Sequence, residues 1–517
     1  MKASISNVYT SVGCNRTPEI VDWNVDGLIC FGACNAVVVY DTKARGGDPL
    51  TVQHHHTARV NSVKWLHKSN GVCNELISCS ADKTAAIWTL SDGVWKVSSK
   101  LNSHMDAVTC IYGIYTNLDD LTIYSASIDS TVKIWERKTG ISTLKQTINL
   151  NSGLCLTLHA HLLPIANKPL LFCGLDDHKI HVFAGEDEYH RVQMLVGHED
   201  WVRGLDVIDI DNNTILLASA SQDTYVRLWR IQHYEEQTQS SEIKTEEKMF
   251  SAYELVWSVK LEAVLAGHEG WVYGVQWHPY NVKTNCLFIV CCHPSLDKTA
   301  IVWEPEGEEG AWVERVRVGE VGGNGLGFYG SRFGPNGDSF MAHGYNGSFH
   351  IWTLCKPRVV CGGHFDCVED AAWEPRGRYL LTASTDQTTR VHAPHQLQGH
   401  EAEWHEIARP QVHGYDLAAL AVVDPLTFAS AAEEKVIRVF QAPQNFIQNF
   451  KNIVGEDLAG ESTASGPEGA LVPSLGLSNK AVFEGDSAED DEGYFVPINL
   501  SGKRGIGSKS KSWNPTS

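Results

Sequence analysis

The eleven-residue stretch SASQDTYVRLW, residues 219–229, decides the fold because close copies of it recur along the chain. Each copy places an acidic residue six positions before an aromatic residue. The other strong copies are SCSADKTAAIW (78–88), SASIDSTVKIW (125–135), CGLDDHKIHVF (173–183) and HPSLDKTAIVW (293–303). Self-similarity at a fixed period indicates a protein built from stacked structural repeats.

The acidic positions of this repeat recur every 46 to 49 residues, apart from one step of 74 residues and one of 40. The strong acid and aromatic pairs are Asp82/Trp88, Asp129/Trp135, Asp177/Phe183, Asp223/Trp229 and Asp297/Trp303. Weaker pairs follow at Asn346/Trp352, Asp386/His392 and Glu434/Phe440, and ACNAVVVYD near Tyr40 is a degenerate first copy. The long step contains the polar segment IQHYEEQTQSSEIKTEEKMF (231–250), which predicts an extended surface loop.

Each copy has the pattern of β-strands. Segments such as TVKIW and YVRLW alternate β-branched and aromatic residues with polar ones, and turns rich in Asp, Gly and Asn separate them. No helical period is sustained for three turns. The sequence therefore predicts an all-β protein.

A histidine precedes many of the copies, often after glycine. These residues are Gly197-His198, Gly267-His268, Gly363-His364 and, less regularly, His56 and His104. The combination of period, histidine, turn acid and terminal aromatic resembles the WD40 repeat over about residues 20–445. The resemblance implies four-stranded blades of a β-propeller.

The resemblance also implies a buried hydrogen-bonded network in each blade. In the strongest copy it would join His198, Ser219 or Ser221, Asp223 and Trp229, a structural role for which burial with satisfied partners is a physical reason. The corresponding residues elsewhere are His268, Asp297, Trp303, Asp82, Trp88, Asp129 and Trp135. We interpret these residues as structural and predict no catalytic, cofactor-binding or metal-binding residue.

Nine copies predict one complete seven-bladed propeller and about two blades of an incomplete second one. We place the first at 1–355, closed by an N-terminal strand within SNVYTSVGC (6–14), and the two extra blades at 356–450. Residues 451–493 are predicted to be a linker with a strand at 469–483. Residues 494–517, which follow the acidic run EGDSAEDDE, are predicted to be a disordered tail.

The amino-acid composition limits the classes of function that the chain can have. The 42 Lys and Arg residues against 62 Asp and Glu give a net charge of −20, which disfavours nonspecific binding to nucleic acid or to an anionic membrane. We find neither a signal peptide nor a long apolar span, and the fourteen scattered cysteines suggest buried free thiols. We predict a cytoplasmic location, with the nucleus as an additional one.

Several segments resemble the sequence patterns of nucleotide-binding or metal-binding sites. GLGFYG (325–330) matches a dinucleotide-binding loop, but the turn in SRFGPNG follows it where a helix would be required. His54, His55 and His56 alternate faces on a strand and cannot converge on one ion. In WHEIARPQVHGYDL (404–417), Arg409 stands where H-E-x-x-H requires its second histidine, and His413-Gly414 and Asp416 are predicted to begin the ninth blade.

Three segments outside the repeat pattern indicate one particular family of WD40 proteins. Together with EEKVIRVFQAPQNFIQNF (433–450), they closely resemble the family of WD40-repeat second subunits of the Elongator complex. They are RVRVGEVGGNGLGFYG (315–330), WHEIARPQVHGYDL (404–417) and PEGALVPSLGLSNKAVF (467–483). That family has fourteen blades, so this chain would lack the last five.

The resemblance implies a non-catalytic scaffold without a cofactor. Elongator modifies tRNA wobble uridines at carbon 5, giving 5-methoxycarbonylmethyl and 5-carbamoylmethyl types, and its chemistry lies in a subunit with radical S-adenosylmethionine and acetyl-CoA sites. The implied partners are that catalytic subunit and the largest subunit. Any tRNA contact would be indirect or through a local patch, and no membrane contact is implied.

Two alternatives remain open. A substrate receptor or adaptor of another complex, such as a ubiquitin ligase, often has W-D-x-R after a strand, whereas this chain has Trp135-Glu136-Arg137. A propeller enzyme would need side chains converging on the channel. Trp201 and Trp271, just after capping histidines, are candidate partner contacts or else core or rim packing.

Overall fold

The computed structural model describes residues 13–42, 51–68, 71, 73–151, 153–234, 247–279, 291–294, 299–306, 311–319, 327–344, 347–353, 356–361, 364, 367–395, 403–410, 415–433, 437–458 and 514–515. These residues form nine antiparallel sheets and one helix. The prediction of an all-β propeller is confirmed by this arrangement.

The first four sheets each use four consecutive strands. Sheet 1 contains β1 (Val21–Trp23), β2 (Leu28–Ala33), β3 (Ala36–Asp41) and β4 (Thr51–His54), and sheet 2 contains β5 (Val60–Leu66), β6 (Glu75–Ser80), β7 (Ala85–Ser91) and β8 (Val94–Leu101). Sheet 3 contains β9 (Val108–Tyr115), β10 (Leu121–Ser127), β11 (Thr131–Lys138) and β12 (Ile141–Asn149). Sheet 4 contains β13 (Cys155–Leu162), β14 (Pro169–Leu175), β15 (Lys179–Ala184) and β16 (His190–Val196).

The next three sheets follow the same plan, with a fifth strand in one of them. Sheet 5 contains β17 (Val202–Asp211), β18 (Thr214–Ser221), β19 (Tyr225–His233), β20 (Lys248–Ala252) and β21 (Leu255–Ala266). Sheet 6 contains β22 (Gln276–Trp277), β23 (Cys291–Pro294), β24 (Thr299–Glu306) and β25 (Ala311–Gly319). Sheet 7 contains β26 (Phe328–Phe333), β27 (Ser339–Gly344), β28 (Phe349–Thr353) and β29 (Lys356–Cys361).

The last two sheets pack against each other, and the helix follows seven of their eight strands in the chain. Sheet 8 contains β30 (Val368–Trp373), β31 (Leu380–Ser384), β32 (Thr389–His395) and β33 (Glu403–Ala408). Sheet 9 contains β34 (Leu417–Asp424), β35 (Thr427–Ala432), β36 (Ile437–Gln441) and β37 (Asn514–Pro515), and the helix α1 spans Gln444–Val454.

The position of a strand in its sheet determines its burial. The central strand β18, TILLASAS, is buried at every residue because neighbouring sheets cover both of its faces. The outer strand β12, ISTLKQTIN, is largely exposed and correspondingly polar. Continuous apolar runs therefore lie inside the propeller, and mixed sequences form its circumference.

Sheets 1 to 7 form a closed ring. Each first strand contacts the first strand of the next sheet, and β26 of sheet 7 contacts β1. Phe31 and Phe349 pack edge to face across the closing interface with ring centroids 4.9 Å apart. The Cys14 N–H donates to the Gly347 carbonyl at 3.0 Å. The two ends of this long segment are therefore joined by apolar packing and by backbone bonding.

Buried charges reinforce the same interface. Arg332 in β26 donates from Nε to Asp22 at 3.2 Å and from Nη2 to Glu19 at 3.4 Å. Lys64 in sheet 2 also pairs with Glu19. Because a buried charge is costly without partners, these four side chains stabilise the ring only while they are all present.

A second type of link joins sheets through an aspartate in the first strand. Asp22 accepts the Trp65 N–H at 2.9 Å, and Asp206 accepts the Trp277 N–H at 2.7 Å. Asp370 of sheet 8 does the same with the Leu420 N–H of sheet 9 at 2.8 Å. In all three cases a carboxylate in the first strand thus accepts a backbone N–H of the following sheet and fixes its position.

The seventh sheet differs from the prediction at its outer edge. β29 (356–361) pairs with β28, so the predicted boundary between residues 355 and 356 cuts through sheet 7. The fourth, outer strand that the structure describes in sheet 7 is β29, which follows β28 in the same repeat. Gly13 and Cys14 lie outside any strand, and residues 6–12 are outside the described residues.

The predicted surface loop at 231–250 is shorter than expected. Residues 231–233 continue β19, and residues 248–250 begin β20, an additional strand that pairs with β21. The turn after β20 reaches sheet 4, where the Tyr253 hydroxyl donates to the Pro169 carbonyl at 2.6 Å. Trp257 in β21 is fully buried. Apolar residues at the end of the segment form this hairpin because they cover the junction of sheets 4 and 5.

The helix α1 (444–454) crosses the predicted boundary at 450/451 between a blade and a linker. Its buried residues recur with helical spacing and pack on sheets 8 and 9, and Gly455 ends the helix in a left-handed conformation at φ 81°. This helix has eleven residues, about half the length that a membrane span requires. The buried residues are Phe446, Ile447, Phe450, Ile453 and Val454.

The C-terminal predictions fall mostly outside the described residues. The strand predicted at 469–483 lies there, as does most of the predicted tail. Two residues of that tail, Asn514 and Pro515, differ from the prediction of disorder because they pair with Gln441 and Phe440. The edge of β36 offers backbone groups for pairing, which explains why it accepts another strand.

We expect Arg332→Met to lower the free energy of unfolding by about 3–5 kcal/mol, because the change leaves Glu19 and Asp22 buried without this partner. Chemical denaturation of the full chain measures this loss. Arg230→Met is the matched control, since Arg230 pairs with Glu262 in a more accessible position, and we expect a loss of about 1 kcal/mol or less. Equal losses in the two variants would contradict the closing role of Arg332.

Candidate functional site

The predicted network of sheet 5 is assembled from four side chains. His198 Nδ1 lies 2.8 Å from Asp223 Oδ2, and His198 Nε2 lies 2.8 Å from the Ser219 hydroxyl. The Trp229 indole N–H donates to the same hydroxyl at 2.9 Å. The network joins the loop before the first strand to the second strand, the turn and the third strand.

Between the two candidate serines, the structure places Ser219 in the network. Ser221 has a different role, because its hydroxyl accepts the Asp223 N–H at 3.1 Å and donates to the Asp200 carbonyl at 2.9 Å. Both serines are buried, and together they hold the turn that contains Asp223.

Sheets 2 and 3 repeat the arrangement with the same atoms and nearly the same distances. The imidazole to carboxylate distances are 2.9 Å in sheet 2 and 3.0 Å in sheet 3. Their members are His56, Ser78, Asp82 and Trp88 in sheet 2, and His104, Ser125, Asp129 and Trp135 in sheet 3.

Sheet 8 keeps the network with two substitutions. His364 bonds to Asp386 at 2.9 Å and to the Thr382 hydroxyl at 2.8 Å, so threonine replaces serine. His392 takes the place of the tryptophan, and its Nε2 lies 3.4 Å from the same hydroxyl. A hydroxyl between two ring nitrogens is therefore retained although the aromatic residue has changed.

Sheets 6 and 4 depart further from the pattern. In sheet 6, His268 is buried and lies 3.2 Å from the Thr299 hydroxyl, and Trp303 is also buried. In sheet 4, Asp177 bonds to His181 of its own hairpin, and the aromatic residue is Phe183.

Some predicted network residues cannot be placed. Asp297, Asn346, Glu434 and the His413-Gly414 pair lie outside the described residues. Their roles stay predictions.

The protonation states follow from the partners. Burial lowers the pKa of His198, although Asp223 acts in the opposite direction. Burial raises the pKa of Asp223, but the His198 bond and the N–H groups of Tyr225 and Glu199 outweigh it, so the pKa is lowered overall. A neutral imidazole therefore donates from Nδ1 to an ionised carboxylate and accepts the Ser219 proton at Nε2. His198 and Ser219 are both buried, and the Ser219 hydroxyl also accepts the Trp229 N–H, which indicates a structural unit.

The first strands also bring polar side chains together in the channel, which the sequence reasoning missed. His159 Nδ1 lies 3.6 Å from Asp206 Oδ1, and the Tyr112 hydroxyl lies 3.5 Å from His159 Nε2. Burial raises the pKa of Asp206 to about 6. The available signal was an ionisable residue inside an apolar first strand, as at Lys64, Asp206 and Arg332.

These channel residues bond mainly to one another and to neighbouring backbone. Among the described residues, no three His, Cys, Asp or Glu side chains are grouped so that they could hold a metal ion. His56 of the histidine run belongs to the sheet 2 network, and the strand β26 is followed by a turn and another strand. His56 is thus a network residue, and Phe328–Gly330 of the second motif lie in β26, while residues 325–326 are outside the described residues.

Within WHEIARP (404–410), the buried Glu406 is the centre of a group of ion pairs. Arg390 is fully buried and donates from Nη1 to Glu406 at 2.7 Å, while its Nη2 lies 3.5 Å from Asp386. Arg409 donates from Nε to the other oxygen of Glu406. Arg390 and Arg409 outweigh burial and lower the pKa of Glu406. The arginine at the position of the missing second histidine is thus a partner of the glutamate.

The two candidate contact tryptophans are both at the surface. Trp201 is 38 % exposed and Trp271 is 46 % exposed, and each directly precedes a buried valine that begins the inner part of its sheet. The Arg203 guanidinium lies 4.9 Å from the Trp201 ring centroid. These two residues are accessible aromatic side chains of sheets 5 and 6, and a partner contact there stays a prediction.

We expect Asp223→Ala to lower the free energy of unfolding by about 1–3 kcal/mol, because His198 and the backbone N–H groups of Tyr225 and Glu199 lose their acceptor. Thermal and chemical denaturation measure the change. Asp187→Ala, at an exposed loop position, is the control and should change stability by about 0.5 kcal/mol or less. An unchanged melting temperature for Asp223→Ala would contradict the network.

Stability should also fall as the pH is lowered from about 6.5 to 4. Burial lowers the pKa of four histidines, His343, His350, His392 and His405, to about 4. The unfolded chain binds protons at these groups below its ordinary pKa of about 6.5, whereas the folded chain resists protonation until about pH 4. Asp206 acts in the opposite direction, because its raised pKa lets the folded chain bind a proton near pH 6.

Denaturation at a series of pH values tests this dependence. His350→Phe should make the decline between about pH 6.5 and 4 shallower, because phenylalanine cannot be protonated and a ring still packs between Phe328 and Trp352. A pH profile identical to that of the parent chain would contradict the assignment of His350.

Comparison with known proteins identifies the repeats. The family model "WD domain, G-beta repeat" matches residues 47–89, 95–136, 189–230, 259–304 and 355–392. These ranges include network residues of sheets 2, 3, 5, 6 and 8. The prediction of WD40 repeats is therefore confirmed.

The chain is also similar to curated proteins over nearly its full length. It is 44 % identical to Elongator complex protein 2 of Drosophila melanogaster, over 96 % of this chain and 67 % of that protein. It is 40 % identical to the proteins of that name from Danio rerio and Homo sapiens, covering 95 % and 92 % of this chain but 64 % and 60 % of theirs. The chain thus spans about two thirds of the length of these relatives, and on this similarity it belongs to the Elongator complex protein 2 family.

Proposed function

We propose that this chain is a non-catalytic scaffold subunit of the Elongator complex. In that role it would be needed for the modification of tRNA wobble uridines to their 5-methoxycarbonylmethyl and 5-carbamoylmethyl forms. The observation that carries the proposal is the similarity to Elongator complex protein 2 relatives over 92–96 % of this chain.

The side-chain chemistry supports a scaffold. The His–Asp pairs of the networks in sheets 2, 3, 5 and 8 are bonded to serine or threonine hydroxyls, and the channel charges pair across the ring. The histidines and serines of sheets 2, 3 and 5 are buried, and each serine hydroxyl also accepts a tryptophan N–H, so these groups serve stability, whereas catalysis needs a group that a substrate can reach. A propeller with these interior bonds instead offers loops and faces for protein contacts.

The proposed partners are the largest Elongator subunit and the subunit that carries the radical S-adenosylmethionine and acetyl-CoA sites. The proposed location is the cytoplasm, with the nucleus as an additional one. Contact with tRNA is proposed to be indirect or through a local patch, in keeping with a net charge of −20.

The alternative of a ubiquitin-ligase receptor gains no support from the corresponding residues. Arg137, the arginine nearest to the W-D-x-R position, donates from both terminal nitrogens to Glu75 at 2.8 Å. The Tyr115 hydroxyl also donates to Glu75. Arg137 therefore joins sheets 2 and 3 and is not available as a free surface cation.

Affinity isolation of the tagged full chain from cells tests the scaffold proposal. We expect the largest and the catalytic Elongator subunits to be recovered with it, and deletion of the gene to reduce both modified wobble uridines in tRNA hydrolysates. The same isolation from cells that carry the untagged chain is the control and should recover neither subunit. Recovery of neither subunit with a folded chain would overturn the proposal.

A further inference from the structure

Sheets 5, 6 and 7 carry a group of aromatic residues that are not members of the hydrogen-bonded networks. Sheets 5 and 6 begin with the same pattern, Trp201-Val-Arg203-Gly and Trp271-Val-Tyr273-Gly. Sheet 7 begins with Phe328-Tyr-Gly. In sheets 5 and 7 the residue after the buried apolar one is displaced by a β-bulge, a device that redirects a side chain.

The large side chains at these positions form a continuous ladder. Arg203 lies over the rings of Trp201 and Tyr273, with its guanidinium carbon 4.9 and 5.7 Å from their centroids. Tyr273 stacks on Tyr329 at 5.2 Å, and Trp271 meets Tyr273 edge to face at 6.5 Å. Side chains already held by such contacts lose little freedom when a ligand arrives.

The opposite side of the ring lacks this ladder. The bulged positions of sheets 2, 3 and 4 carry Asn61, Thr109 and Leu156, none of which is aromatic. The position equivalent to Trp201 is Arg59 in sheet 2. Ring architecture alone therefore does not require large aromatic residues at these positions, and their restriction to sheets 5 to 7 marks one surface.

The two segments that carry the exposed indoles have a negative net charge. The segments 197–204 and 267–274 contain three carboxylates, Glu199, Asp200 and Glu269, and a single arginine or lysine, Arg203. Arg203 is engaged inside the ladder: with the Gln222 amide oriented so that its oxygen faces the guanidinium, it donates two bonds at 3.0 and 3.1 Å. Within these two segments the carboxylates therefore outnumber the cation.

Exposed indoles beside carboxylates complement a cation. Tryptophan is the aromatic side chain that attracts ammonium and guanidinium groups most strongly, and nearby carboxylates add Coulomb attraction. A single-stranded RNA could also stack on these rings, but its phosphates would meet three carboxylates. The observed charges favour a basic peptide over a nucleic acid.

We propose that Trp201 and Trp271, with Glu199, Asp200 and Glu269, form a docking surface for a lysine- or arginine-bearing segment of a protein partner. This surface is distinct from the interior networks and does not depend on the scaffold proposal. The docking surface is tested by peptide binding to the isolated chain, whereas the scaffold proposal is tested by recovery of Elongator subunits from cells. The two proposals can therefore fail independently.

Fluorescence polarisation with the purified full chain tests the surface. The probe is a fluorescein-labelled twelve-residue peptide of alternating lysine and glycine, and a peptide with glutamate in place of lysine is its charge control. We expect the lysine peptide to bind and the glutamate peptide to bind at least about tenfold more weakly. Equal binding of the two peptides would overturn the proposal.

Variants locate the binding on the molecule. Trp201→Ala with Trp271→Ala should weaken lysine-peptide binding at least about tenfold, because two aromatic anchors are removed. Glu199→Gln with Asp200→Asn should weaken it about threefold and reduce its salt dependence. Trp373→Ala is the matched control, since Trp373 is 56 % exposed but lies in sheet 8, and it should leave binding unchanged.

Melting curves establish that each variant is folded before its binding is compared. Normal binding by the folded double tryptophan variant would overturn the proposal. So would a labelled oligouridine that binds more tightly than the lysine peptide and loses its binding in the same variant, because the surface would then recognise RNA.

Discussion

The hydrogen bond between a buried neutral imidazole and an ionised turn aspartate is the interaction on which the regular sheets depend. In sheet 5 it connects the loop before the first strand, through His198, to the turn at Asp223. Ser219 and Trp229 extend the connection across the second and third strands. A sheet with this network has its connecting loop and its central hairpin fixed in one arrangement, so the next sheet can pack against a defined face.

The sequence predicted the parts of this fold that are local and repeated. Residues equivalent to His198, Asp223 and Trp229 recur at nearly constant spacing, because each regular sheet buries a turn with a carboxylate and needs hydrogen-bond partners for it. The channel residues were missed for the opposite reason, since Arg332 meets Glu19 across 313 positions of the chain. Such a pairing leaves no periodic signal, and only the closed ring brings its members together.

The helix and the extra hairpin were missed although their signals were present. Phe446, Ile447 and Phe450 have helical spacing, but their position after a strand pattern favoured a continuing blade. The apolar residues near Phe250 were included in the predicted loop because a run of polar residues precedes them. In sheets 8 and 9, the helix and the buried Arg390–Glu406–Arg409 group supply internal contacts beyond those of the strands. These elements explain why the segment around Glu406 departs from the repeat pattern.

The closing contact between Arg332 and Glu19 has a consequence for synthesis in the cell. Residue 19 leaves the ribosome long before residue 332, and at translation rates of about 5–20 residues per second the interval is roughly 15–65 s. During that time the early sheets can pack on one another, but the side of sheet 1 that will meet sheet 7 stays open. The Phe31 ring, which packs on Phe349 of sheet 7 in the finished ring, therefore stays uncovered on that side until sheet 7 has been synthesised, so ring closure is a late step.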